Sequence, residues 1–106
     1  MNIEALQQRL REFAAARDWQ PYQTPKNLAM ALVVEAAELV EIFQWLTPDE
    51  SQAIRNDPAR HTHLGEEIAD VMLYLLQIAD QAGVDVSEAV ERKLALNALK
   101  YPVRKP

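Results

Sequence analysis

The sequence predicts an all-helical fold, on three observations. Glycine occurs only twice, at Gly65 and Gly83. No segment rich in Val, Ile and Thr alternates apolar with polar residues, as a half-buried strand does. Three segments carry helix-start chemistry instead: Thr24-Pro25, Thr47-Pro48-Asp49-Glu50 and Asp85-Val86-Ser87-Glu88. Each places a side-chain oxygen acceptor before a helical run, with proline at the first helical position or an acid three residues on.

Taken in order, Ile3, Leu6, Leu10 and Phe13 recur at three- and four-residue spacing, which predicts a first helix over about 2–18. Trp19-Gln20-Pro21-Tyr22 breaks it. A second helix, capped by Thr24, is expected to run to about Leu46, roughly 33 Å at 1.5 Å per residue. A short third helix opens with the Thr47/Glu50 capping box and stops at Asn56-Asp57-Pro58, leaving a polar connection to about Thr62. The fourth helix covers about 63–82 and is apolar nearly all round, through Ile68, Val71, Met72, Leu75, Leu76, Ile78 and Ala79, with Gly83 as a left-handed cap. The fifth begins at Asp85 and ends near Leu99 or Lys100, because Pro102 cannot continue it. Val103 to Pro106 is read as a loose tail.

The 106 residues are expected to form one domain, 1–106. The second and fourth helices are too apolar for two ordinary flanking helices to cover. The expectation is a bundle of four main helices plus one short one, completed in a homodimer or homotetramer. A net charge of −5 argues against a partner that is polymeric nucleic acid. The absence of cysteine excludes disulfides, thiolate catalysis and cysteine-held zinc. The opening MNIEALQQRL has no apolar signal core, and the longest apolar run, Leu28 to Val34, falls far below the ~18 residues of a membrane span. A cytoplasmic protein with no membrane partner is expected.

Four acids hold most of the functional information. Glu35 and Glu38 are spaced i, i+3, as are Glu67 and Asp70, so each pair shares a helix face in an apolar setting. Crowded carboxylates repel each other and resist desolvation. A hard divalent cation such as Mg²⁺, with Mn²⁺ as a substitute, would hold them there. At 100° per residue, Asn27, Glu38 and Trp45 fall within about 20° of each other on the second helix. Glu67, Asp70 and Tyr74 form a stripe on the fourth helix, and Lys93, Asn97, Lys100 and Tyr101 one on the fifth. Acids with metal suit a polyphosphate. Lysines can meet phosphate oxygens, aromatic rings can flank a base, and asparagines can bond sugar, base or phosphate. The combination points to metal-assisted attack of water on a nucleotide phosphorus.

The spacing EAAE, 28 residues, EIAD resembles the ExxE…ExxD signature of the MazG-like, all-α nucleoside triphosphate pyrophosphohydrolases. FAAARDW, PKNLAMALVVEAAELVEIFQW, EEIADVMLYLL and KLALNALKYP, in that order, look especially like its dCTP pyrophosphatase branch. The likeness covers nearly the whole chain. It implies hydrolysis of a (deoxy)nucleoside triphosphate to the monophosphate and pyrophosphate, dependent on Mg²⁺. It implies Glu35, Glu38, Glu67 and Asp70 as metal ligands; on chemical grounds Glu35 or Glu38 is the expected base and Lys93 the expected catalytic cation. Trp19, Asn27, Trp45, Tyr74, Lys93, Asn97 and Tyr101 would bind substrate. Where the branch often has a histidine before the proline, this chain has Gln23-Thr24. Cytosine, a 5-modified cytosine and other pyrimidines therefore stay open as the base.

Each feature also has a plain structural reading. Isolated i, i+3 acids are usually a solvated face, Trp45 and Tyr74 read by default as core aromatics, and Lys93 and Lys100 as surface lysines. His61 and His63 form an H-x-H without an evident third ligand and read as loop residues. The rival function is a non-catalytic helical module that binds a nucleotide or a partner. A di-iron carboxylate bundle is disfavoured, because neither acidic pair has a histidine three residues after its glutamate.

Overall fold

The structure, a computed structural model, describes residues 1–104. Every regular element among them is helical. The main helices are α1 (Ile3–Ala16), α2 (Pro25–Phe43), α3 (Pro48–Gln52), α4 (Pro58–Ala82) and α5 (Val86–Lys100), with 3₁₀ turns at Gln20–Tyr22 and Ala53–Asn56. The all-α expectation is met. No described helix is long and apolar enough to cross a membrane. Lys105 and Pro106, the end of the expected tail, lie outside the described residues.

Local capping chemistry sets the boundaries. Asn2 caps α1 by accepting from the Ala5 N–H at 2.9 Å. The helix ends at Ala16, not near 18, because Asp18 adopts a left-handed backbone at φ 56°. The Trp19 N–H then donates to the Ala14 carbonyl at 3.0 Å, and the Asp18 N–H to Ala15 at 3.2 Å. This Schellman closure turns Trp19 back over Phe13, with ring centroids 5.6 Å apart and planes at 66°. Thr24 caps α2 as expected, accepting from the Asn27 N–H at 3.2 Å. The helix stops at Phe43 rather than Leu46, so Trp45 falls in the turn before α3.

The largest correction lies between the third and fourth helices. The segment read as a polar connection is the first turn of α4, which starts at Pro58 rather than 63. Asp57 accepts from the Arg60 N–H at 3.2 Å, and Pro58 occupies the first helical position. An Asp-Pro pair closes one helix and opens the next equally well; the opening role prevails here. The Thr47/Glu50 capping box forms with both reciprocal bonds, and Gly83 takes the left-handed cap at φ 70°.

The core is the seam where α2 lies along α4, with α1 docked on α4. Leu28, Leu76, Ala79 and Ala14 are buried along it, and Ile54 seals the 3₁₀ turn against α4. A buried amide fastens α1: Gln7 Nε2 donates to the Leu76 carbonyl at 2.9 Å. Arg11 and Asp80 add an ion pair at 2.6 Å. By contrast, α5 buries none of its residues. Val90, Leu94, Leu96 and Leu99 of α5 are exposed, as are Met30, Val33, Val34 and Val40 on the outer face of α2.

Candidate active site

Alignment of α2 with α4 brings the two acidic pairs together. One carboxylate oxygen from each of Glu35, Glu38 and Glu67 lies within 4.8 Å of the others. Asp70, one turn beyond Glu67, adds its charge to both Glu35 and Glu67. Glu67 is only 8% exposed. The Oε2 atoms of Glu35 and Glu67 are both buried without a hydrogen-bond partner. Among the described residues no Lys or Arg pairs with any of the four acids; the near base is His63, whose Nε2 is 3.3 Å from Glu67 Oε1.

The cluster's electrostatics follow. Burial raises the Glu35 carboxyl to about pKa 7, helped by carboxyl–carboxyl hydrogen bonding to Glu38 and by the charges of Glu38, Asp70 and Glu67. Glu67 is also raised, first by burial and then by the charge of Glu38, with His63 pulling slightly the other way. Tyr74 is raised by burial and by the charges of Glu35 and Asp70, which places its hydroxyl in the same field. Two orphaned, buried carboxylate oxygens on facing helices fit a hard divalent cation. All the donors are oxygen, and a cation would satisfy both atoms and relieve the repulsion.

A cavity of about 300 Å³ opens beside the cluster. Glu35 and Asp70 stand at its edge, and its walls are Phe13, Trp19, Tyr74, Leu10 and Leu73. No Lys, Arg or His lines it. A second opening on the other side of the cluster is lined by Glu38, Glu41, Arg60, His63 and Glu67. The acids thus sit between an aromatic slot and a polar cleft.

The expected site residues divide. Glu35, Glu38, Glu67, Asp70, Trp19 and Tyr74 come together. Asn27 does not: its Nδ2 donates to the Tyr22 carbonyl at 2.9 Å and ties the connection to α2. Trp45 is 86% exposed and off the stripe, because the helix that was to carry it has ended. Lys93 and Asn97 lie on α5 and Tyr101 caps its C-terminal end; none of the three lines either opening. Three contributors were missed. Phe13 reads in sequence as an ordinary core position of α1. Arg60 falls in the segment misread as a connection, where the Asp57-Pro58 cap was the available signal, and His63, read as a loop residue, stands in α4.

Comparison with known proteins agrees with this geometry. Residues 30–106 match the model of the MazG-like family. The chain is 42% identical over 92 residues to dCTP pyrophosphatase 1 of Mus musculus, covering 87% of this chain and 54% of that protein. It is 43% identical over 91 residues to dCTP pyrophosphatase 1 of Homo sapiens, covering 86% and 54%. The chain therefore spans about half the length of the curated relatives it matches. A crystal structure of a pyrophosphatase from Archaeoglobus fulgidus superposes with a TM-score of 0.83 at 45% identity, covering 94% of this chain and 92% of that one. An all-helical seam, paired acids facing each other across it and these matches together establish that the chain belongs to the MazG-like family.

Proposed function

We propose that this protein hydrolyses a (deoxy)nucleoside triphosphate to the monophosphate and pyrophosphate, with a pyrimidine such as cytosine or a modified cytosine as base. One observation carries the reading: an aromatic slot abuts buried, unpaired carboxylate oxygens on facing helices. The slot suits a flat base and the acids suit the cation that accompanies a triphosphate. The names of the relatives support the same reaction class.

Glu35, Glu38, Glu67 and Asp70 would hold Mg²⁺, or Mn²⁺ in its place. Bound there, the cation supplies charge neutralisation for the polyphosphate and polarisation of the phosphorus under attack. The chain's own residues do the rest. Phe13, Trp19 and Tyr74 orient the base and exclude water from its faces. Glu35 or Glu38 would take the proton from the attacking water. Lys93, Asn97 and Tyr101 would approach the phosphates from a neighbouring copy.

Assembly is part of the proposal. The chain exposes 8587 Å², against about 6,000 Å² for a compact monomer of its mass. Its radius of gyration is 17.2 Å, against about 13 Å for a globular domain of this length. An excess of about 2,500 Å² per chain matches the interfaces of obligate oligomers. A homodimer or homotetramer would cover α5 and the outer stripe of α2.

The test is direct. Purified protein is mixed with Mg²⁺ and a panel of nucleoside and deoxynucleoside triphosphates, and pyrophosphate and inorganic phosphate are assayed separately. Pyrophosphate with monophosphate is expected. Phosphate alone would mean a different bond is cut, and binding without any release would leave a non-catalytic module.

A further inference from the structure

Besides the Tyr74 hydroxyl and the Trp19 indole N–H, the polar side chains among the slot's lining residues are those of Glu35, Asp70, Gln23 and Gln77. Asp70 and Gln77 lie seven residues apart on the same helix, α4. Asp70, Leu73, Tyr74 and Gln77 follow i, i+3, i+4, i+7 on α4, and all four line the cavity. Seven residues put Gln77 about 10 Å further along the helix axis than Asp70. That is the reach of a nucleoside from its 5′ oxygen to the far edge of its base. A nucleotide whose phosphates lie at the acids therefore brings the edge of its base to Gln77.

One hydrogen bond orients this amide. Gln77 Nε2 donates to the Leu73 carbonyl at 3.1 Å. A backbone carbonyl can only accept, so the nitrogen faces the helix and Oε1 turns away as an acceptor. Behind the slot, Gln77 and Gln23 also border an adjoining cavity of about 310 Å³. The one cation there, Arg11, is engaged by Asp80 at 2.6 Å.

We propose that Gln77 determines base specificity: its Oε1 accepts a hydrogen bond from an exocyclic amine at the base position opposite the glycosidic nitrogen, favouring amino-pyrimidines over keto-pyrimidines. This rests on the nucleotide reading above. Cytosine presents a donor at that position. Uracil and thymine present a carbonyl, whose lone pairs would face those of Oε1. A site built to bond one such group rejects the analogue that lacks it, because a polar atom is left unpaired.

The test measures binding and turnover separately, on the full chain with Mg²⁺. Calorimetry with dCMP and dUMP is compared for the wild type, Q77M and Q77E, each checked for an unchanged helical circular dichroism spectrum. The wild type is expected to bind dCMP about tenfold more tightly than dUMP, the effect of one hydrogen bond. Q77M, similar in length but without the acceptor, loses that preference and raises KM for dCTP with little change in kcat. Q77E keeps an acceptor oxygen and keeps the sense of the preference. A wild type indifferent to the amine, or a folded Q77M that still prefers dCMP, overturns the proposal. These outcomes are separable from the reaction itself. If binding behaves as expected but no pyrophosphate appears, the hydrolysis reading fails and the role of Gln77 stands; the reverse pattern overturns Gln77 alone.

Discussion

Glu67 on α4 is 8% exposed while Leu99 on α5 is 80% exposed, the opposite of what either side chain would choose alone. The α2–α4 seam buries charge, and α5 leaves apolar surface in water. Both regions are unfinished in the isolated chain, in different ways. The seam lacks a counter-charge, as the orphaned oxygens of Glu35 and Glu67 record. The fifth helix lacks a surface to cover Leu94, Leu96 and Leu99. If, as proposed, an ion completes the first and protein the second, the two deficits should respond to different treatments.

The largest effect is expected at the seam. Glu38→Gln or Asp70→Asn should lower turnover by about a thousandfold or more, since each removes a charge from the cation's cage. Helicity by circular dichroism should be unchanged. Retained activity in either variant would erase the distinction between a functional seam and a merely acidic one. Next comes α5. Leu94→Asp should shift the protein from oligomer to monomer in light scattering at micromolar concentration, because a charge would enter a covered apolar surface. Wild-type protein that is already monomeric would remove the argument for a covered helix.

Acidity should separate the regions further. Glu35 titrates near 7 in the fold and near 4.5 when unfolded. Between those values the folded state binds more protons than the unfolded one, so stability falls as pH rises through that window and levels off above it. Glu67 shifts in the same direction and adds to the fall. In cation-free buffer the melting temperature should therefore drop from pH 5 to pH 7.5, and saturating Mg²⁺ should abolish most of the drop. A flat profile would mean that the seam carries no electrostatic debt. The smallest effect concerns Asn27. Asn27→Ala removes one exposed bond to the Tyr22 carbonyl and should cost about 1 kcal/mol of stability without altering Mg²⁺ affinity.

These contrasts also explain what the sequence could disclose. Glu35/Glu38 and Glu67/Asp70 were legible because i, i+3 spacing is a local property of a helix, and paired spacing within apolar runs is rare without a cause. That the pairs face each other needed the register of α2 against α4, which no local pattern encodes. Asp57-Pro58 was misread because the same two residues end one helix and start another. Trp45 was assigned to a stripe that exists only if α2 continues past Phe43. The slot of Phe13, Trp19 and Tyr74 draws on α1, the link after it and α4, so its members were visible singly and never as a set.

The reversed twist at Asp18 has a practical reach. Because main-chain bonds at Ala14 and Ala15 hold Trp19 in position, the wall it forms is mounted on scaffolding indifferent to the ring itself. Phe13 and Trp19 could then be exchanged together for other rings, leaving the bracket intact and retuning which heterocycle the proposed site would admit.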